Sequence, residues 1–167
     1  MQFIAQVRLA DSDDPEVSSL SGILLLFACQ NQPGMCDDWD ADSGANAALL
    51  VAPGDEPITA PLNGVTKLDL ETFLSLEPYD SSLSQAFDDD NYVAAVDGDG
   101  NVLGKIGGGP VWKQGDETPS CECGQPMRFV ALLEERGESG VNFGGGGCGF
   151  AFICTRCNDK AKFLWQC

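Results

Sequence analysis

The sequence predicts an α+β fold, mainly antiparallel β-sheet, with an internal duplication of a β-rich unit and one or two short helices. Three observations lead there: short apolar segments bounded by glycine, few helix signals, and a match between the two ends of the chain. Met1, Phe3 and Ala5 align with Met127, Phe129 and Ala131 at an offset of 126, Gly22, Phe27 and Cys29 with Gly147, Phe152 and Cys154 at 125, and Trp39 with Trp165 at 126. A one-residue change of offset is an ordinary loop difference. The chain therefore reads as one domain with repeat units of approximately 1–42 and 105–167 joined by 43–104.

Taken in order, Gln2–Leu9 alternates apolar residues in part, as a half-buried strand does, and Ile23–Ala28 is a short apolar run following Gly22, the form of a buried strand. Ala47–Val51 and Tyr92–Val96 read as further strands. Asp69–Leu76 and Ser81–Phe87 are the predicted helices, because apolar residues recur there at three and four positions behind a Ser or Asp. Asp97–Asn101 reads as a turn into a strand at Val102–Ile106. Arg128–Leu133 and Phe150–Cys154 repeat the opening pair of strands, with the glycine-rich segment Gly144–Gly149 as the turn between them.

Composition narrows the function. With 167 residues the chain can bury a sizeable core. Its opening residues lack the basic start, apolar stretch and cleavage site of a signal peptide, and its longest apolar run, Ile23–Cys29, is far short of the ~20 residues that span a bilayer. A soluble cytoplasmic protein is the expectation. Histidine is absent, which removes Ser-His-Asp and Cys-His nucleophilic arrangements and any imidazole metal ligand. The net charge of −17 lies entirely on residues 1–100, where 19 acidic side chains face only Arg8 and Lys67, while residues 101–167 carry seven of each sign. That field repels nucleic acid and anionic membrane and favours a basic partner, although an acidic surface also simply keeps a protein in solution.

Eight cysteines without an export signal read as thiols and metal ligands in a reducing compartment. Cys121 and Cys123 form one pair and Cys154 and Cys157 a second, spaced so that four thiolates can surround one Zn²⁺ at ~2.3 Å in a closed, structural site. Buried thiols in a glycine-rich sheet are the alternative. Arg156 and Lys160 lie near enough in sequence to offset the charge of a four-thiolate complex. Cys29 takes the place of Cys154 in the first unit, and Cys36 has no counterpart; both are expected to be metal-free, and Cys148 and Cys167 are spare.

Other motifs carry less. Gly144–Gly149 satisfies G-x-G-x-x-G, but a strand follows it where a dinucleotide site needs a helix. Asp97, Asp99 and Asn101 imitate a calcium loop whose twelfth position is Gly108 instead of Glu. Trp39, Trp112 and Trp165 are expected to anchor the core. Three acidic clusters are expected to be exposed: residues 11–16, the group Asp37, Asp38, Asp40 and Asp42 around Trp39, and Asp88, Asp89 and Asp90.

Within the last 63 residues, KIGGGPVWKQ leads to CECGQPMRFV, FGGGGCGFAFICTRC and KFLWQ. This order of a GGxPxWxQ segment, a cysteine pair ending in glycine, a PMxF strand, a glycine turn, an aromatic strand and a closing FxWQ resembles the YwqG-like family of bacterial soluble proteins. The resemblance covers the C-terminal third well and the first 50 residues more loosely. It departs before Met1, where the counterpart of residues 105–126 is missing, so that a short member or an upstream start is implied. Some members of that family neighbour secreted toxins as immunity proteins.

The resemblance and the charge together predict a non-enzymatic immunity protein. It would bind and occlude a cognate toxin, a basic enzyme such as a nuclease, through Asp37, Asp38, Trp39, Asp40, Asp88, Asp89 and Asp90. The competing expectations are a small-molecule binder or enzyme with a pocket at Gly107–Trp112 and Gly144–Gly147, and a structural zinc module of a larger assembly.

Overall fold

The computed structural model describes residues 1–31, 35–54, 68, 74–78, 89–98, 101–136 and 140–167. Two antiparallel sheets organise them. The first has the order β1 (Gln2–Arg8), β2 (Ile23–Ala28), β3 (Asn46–Val51); the second has β4 (Gly104–Ile106), β5 (Arg128–Glu134), β6 (Cys148–Ile153), β7 (Ala161–Gln166). A 3₁₀ turn at Leu9–Asp11 and two helices, α1 (Pro15–Ser18) and α2 (Asp90–Gly98), complete the described elements. The fold is therefore the mainly antiparallel α+β class that the sequence predicts.

The two sheets share a register pattern. Phe3 pairs with Phe27 and Ala5 with Leu26, with a register shift between Phe3 and Ala5; Phe129 pairs with Phe152 and Ala131 with Ala151, with a shift at the same place. A bulge inserts one unpaired residue and tightens the local twist, so Ile4 and Val130 mark the same bend in both units. The third strands correspond as well, because Ala28 pairs with Asn46 as Ile153 pairs with Ala161. That strand begins at Asn46, four residues past position 42. It also shifts the alignment. The loop from β2 to β3 occupies 29–45 and that from β6 to β7 only 154–160, so the register equivalent of Trp165 is Leu50 and not Trp39.

The second sheet is covered on both faces. Ala151 and Ile153 of β6 join Leu24, Leu26 and Ala28 of β2, Phe163 and Trp165 in one core between the sheets. Cys148, Phe150 and Phe152, on the opposite face, join Tyr92, Val96, Trp112 and Met127 in a second core. All six residues of β6 are buried, which is why it reads as a continuous apolar run instead of an alternating one. The GGxPxWxQ segment supplies part of this outer cover: Trp112 lies 4.7 Å from the Phe150 ring and 5.9 Å from that of Phe152.

The helix expectations fare differently. Tyr92–Val96, predicted as a strand, lies within α2. The Asp89 carboxylate accepts from the Tyr92 N–H at 3.1 Å and its carbonyl from the Val93 N–H at 2.9 Å, so Asp89 caps this helix. Tyr92 and Val96 are buried four residues apart while Val93 is exposed, a helical spacing that an all-apolar run conceals. Residues 74–76 of the predicted helix Asp69–Leu76 carry no helix, and its remainder and Ser81–Phe87 lie outside the described residues. The strand predicted from Val102 is shorter and begins at Gly104.

Candidate metal centre and acidic groove

The cysteine pairs are presented by two tight turns. Between Ser120 and Pro126, which form a bridge, the Cys121 N–H donates to Gln125 O and the Gly124 N–H to Cys121 O, both at 2.8 Å. Gly124 turns beneath the site at φ +80°, a conformation a side chain would strain. The second turn leaves the end of β6. The Cys154 N–H donates to Lys160 O at 2.8 Å and the Asn158 N–H to Cys154 O at 3.0 Å, with Asn158 at φ 59°.

These turns bring four sulfurs together. Cys121 Sγ lies 3.8 Å from Cys157 Sγ and Cys123 Sγ lies 3.7 Å from Cys154 Sγ, and all four atoms lie within 4.8 Å of one another. A tetrahedron with metal–sulfur bonds of ~2.3 Å has sulfur–sulfur edges of about 3.8 Å. The set matches that size. The Cys157 N–H points at Cys154 Sγ from 3.4 Å. That bond, with a further backbone N–H from Arg156, outweighs desolvation and brings the Cys154 thiol down to about 7. Sulfur contacts from Cys123 and Cys121 push Cys157 up to about 12. The four-cysteine cluster predicted from spacing thus exists and can hold a metal ion.

The predicted acidic surface divides. Asp37, Trp39 and Asp40 are exposed, but Asp38 and Asp89 are fully buried and cannot face a partner, which corrects their assignment. Asp89 is held by a charge that sequence distance conceals: its carboxylate lies 3.0 Å from Lys105 Nζ, itself buried. The Asp90 backbone opens α2, its side chain lies outside the described residues, and so does Asp88. Trp39, expected in the core, is 40% exposed. Its ring meets Trp165 edge to face at 6.2 Å, and its carbonyl accepts from the Trp165 N–H at 3.4 Å. A cleft of about 310 Å³ opens there, lined by Trp39, Asp40, Ala41, Asp42, Glu117, Pro119 and Leu164. Three carboxylates and Trp39 share this groove; Lys162 reaches Asp42 at 2.5 Å.

Two features were not foreseen from sequence. The Glu134 carboxylate, buried, accepts from Tyr92 Oη at 2.8 Å and from Cys148 Sγ at 3.2 Å, beside a cleft of only about 70 Å³. Burial and that carboxylate push the Cys148 thiol up to about 12. The second feature explains the glycine run. Glu135 Oε2 accepts from the N–H groups of Phe143 at 2.6 Å, Gly145 at 3.0 Å and Gly147 at 3.4 Å, so the loop wraps an internal carboxylate. An anion-binding concavity of backbone amides is already occupied by the protein itself.

No protein-family model, no curated protein and no solved structure matches the chain. Among the described residues, no helix is long and apolar enough to cross a membrane.

Proposed function

We propose that this chain is a binding protein without catalytic activity, an immunity protein that captures and occludes a basic toxin in the manner of the YwqG-like family. The groove carries this reading. It combines the partly exposed Trp39 with Asp40, Asp42 and Glu117, a setting that suits a lysine or arginine side chain by charge and by cation–π contact. The uneven charge supports it further, since the surplus of acid on residues 1–100 steers a cationic partner toward the same side of the sequence. In this reading Cys121, Cys123, Cys154 and Cys157 hold a structural Zn²⁺. The ion would clamp the turn at 120–126 to the end of β6, with four thiolates and no open position for substrate.

A small-molecule pocket at the glycine segments draws less support. The amides of Gly145 and Gly147 are engaged by Glu135, and Gly147 packs against Phe143 O and Gln166 O.

The test is protection. Co-expression with the toxin-like product of a neighbouring gene should restore growth, and Trp39→Ala combined with Asp40→Asn should remove protection while leaving metal content unchanged and the protein folded by circular dichroism. Failure of the wild-type chain to protect, or protection unaltered by the groove variant, would sink the proposal.

A further inference from the structure

The loop after β2 is an enlarged counterpart of the cysteine turn after β6. The Cys29 N–H donates to Ala45 O at 2.9 Å, at the same register position as the Cys154 bond to Lys160. Cys36 is followed by Asp37 at φ 54°, as Cys157 is followed by Asn158 at φ 59°. Cys36 and Cys157 thus each precede a residue with left-handed backbone. The first unit carries two thiols in its loop after β2. Its two sulfurs, Cys29 Sγ and Cys36 Sγ, lie 3.3 Å apart, and among the described residues no third metal-ligating side chain completes a cluster with them.

Two sulfurs this close are what a disulfide requires. Closing from 3.3 Å to a bond of ~2.05 Å needs a shift of about 1.2 Å. Cys36 is exposed and reachable from solvent, and Cys29 lies half-buried behind it. The other cysteines differ: Cys148 is sealed in against Glu134, four form the metal centre, and Cys167 is exposed at the other end of the chain.

We propose that Cys29 and Cys36 form a reversible dithiol–disulfide site whose co-reactant is a small cationic organic disulfide. One thiol loses its proton to solvent and the thiolate attacks a sulfur of the reagent, forming a mixed disulfide and expelling one small thiolate. The neighbouring cysteine, deprotonated in turn, attacks the protein-side sulfur, closes the Cys29–Cys36 bond and releases the second small thiol. Two electrons pass from the protein to the reagent, which leaves as two thiols. Exposed Asp37 and Asp40 and the surplus of negative charge on residues 1–100 set the preference, because they repel an anionic disulfide and attract a cationic one. Closure ties the end of β2 to the start of the segment that carries Trp39. The site stands independently of any toxin partner.

Trypsin isolates the pair, since the peptide Leu9–Lys67 contains Cys29 and Cys36 and no other cysteine. The full-length protein would be treated at low salt with cystamine or with oxidised glutathione, quenched in acid, alkylated under denaturing conditions and mapped by mass. The expected result is a Leu9–Lys67 peptide lighter by two hydrogens and carrying no alkyl group, restored by dithiothreitol. Its formation with cystamine should be on the order of tenfold faster than with glutathione disulfide, the ratio shrinking in high salt. In Cys36→Ser the peptide should end as a mixed disulfide at Cys29. A peptide that stays doubly alkylated while Cys167 reacts, two separate adducts without closure, metal held by the pair, or equal rates with both reagents would overturn the proposal.

Discussion

Lys105 Nζ lies 3.0 Å from Asp89 Oδ2 with both side chains out of solvent, and the Lys105 ammonium also sits 5.0 Å from the centre of the Tyr92 ring. The pair fastens the capped start of α2 to β4, and with it the outer cover of the second sheet. Desolvation lowers the Lys105 pKa and the Asp89 partner opposes that shift, so the lysine depends on this carboxylate to remain charged. Asp89→Asn preserves the cap to Tyr92 but strands a buried cation, and should destabilise the fold by about 3 kcal/mol in denaturant titration. Adding Lys105→Met should recover most of that loss. A single variant as stable as wild type would show that the pair contributes nothing.

What was legible in the sequence was what local pattern controls. The strands of both units announce themselves as short apolar runs behind glycine, and the four cysteines by their spacing. Tyr92–Val96 misled because five apolar residues in succession carry neither period, and only the burial of Tyr92 and Val96 but not Val93 separates helix from strand. The burial of Asp89 depends on Lys105, sixteen residues away. The offset that aligns Trp39 with Trp165 fails because the loop after β2 is longer than the loop after β6. Tertiary partners and unequal loops, not propensity, account for these differences.

The four-sulfur cluster predicts one metal per chain. Zinc content measured on protein refolded with the ion should approach one equivalent and fall to near zero in Cys121→Ser and Cys154→Ser, while Cys148→Ser leaves it unchanged. Cobalt in place of zinc should give the absorption of a tetrahedral thiolate complex. Chelation should lower the thermal midpoint, because the turn at 120–126 then loses its tie to β6. Unaltered metal content in Cys154→Ser would place the ion elsewhere.

Asp14 joins the two units and responds to acid. Its carboxylate caps α1 through the Glu16 N–H at 2.9 Å and receives Arg128 Nε, from β5, at 2.6 Å. Burial pushes its pKa up, but the bonds from Arg128 and the Glu16 N–H prevail and hold it below the ordinary 3.8. The folded value being the lower one, this stabilisation is complete above the unfolded pKa and disappears as pH falls through the folded pKa, below 3.8. Asp14→Asn keeps the cap and loses the ion pair. With Arg128 half-exposed, the wild type should exceed this variant by no more than about 1 kcal/mol near neutrality, and the two should converge toward pH ~2. A gap that persists in acid would assign the effect to something other than this carboxylate.

Neighbouring glycines should differ in what they tolerate. A Cβ on Gly147 would lie 2.1 Å from Phe143 O and 2.3 Å from Gln166 O, backbone atoms that cannot yield without moving β7. Gly145 has open space around it but holds φ +94°. Gly147→Ala should therefore destabilise by about 3 kcal/mol through overpacking, and Gly145→Ala by about 1 kcal/mol through backbone strain alone. Glu135→Gln offers the complementary measurement, because it weakens the charged acceptor for the Phe143, Gly145 and Gly147 amides without adding volume. Its loss should approach 2 kcal/mol, about the worth of hydrogen bonds to a charged group. Hydrogen exchange at those three amides should quicken in Glu135→Gln while that of the β6 amides beyond Cys148 is retained; equal protection in both proteins would mean that the carboxylate does not hold the loop.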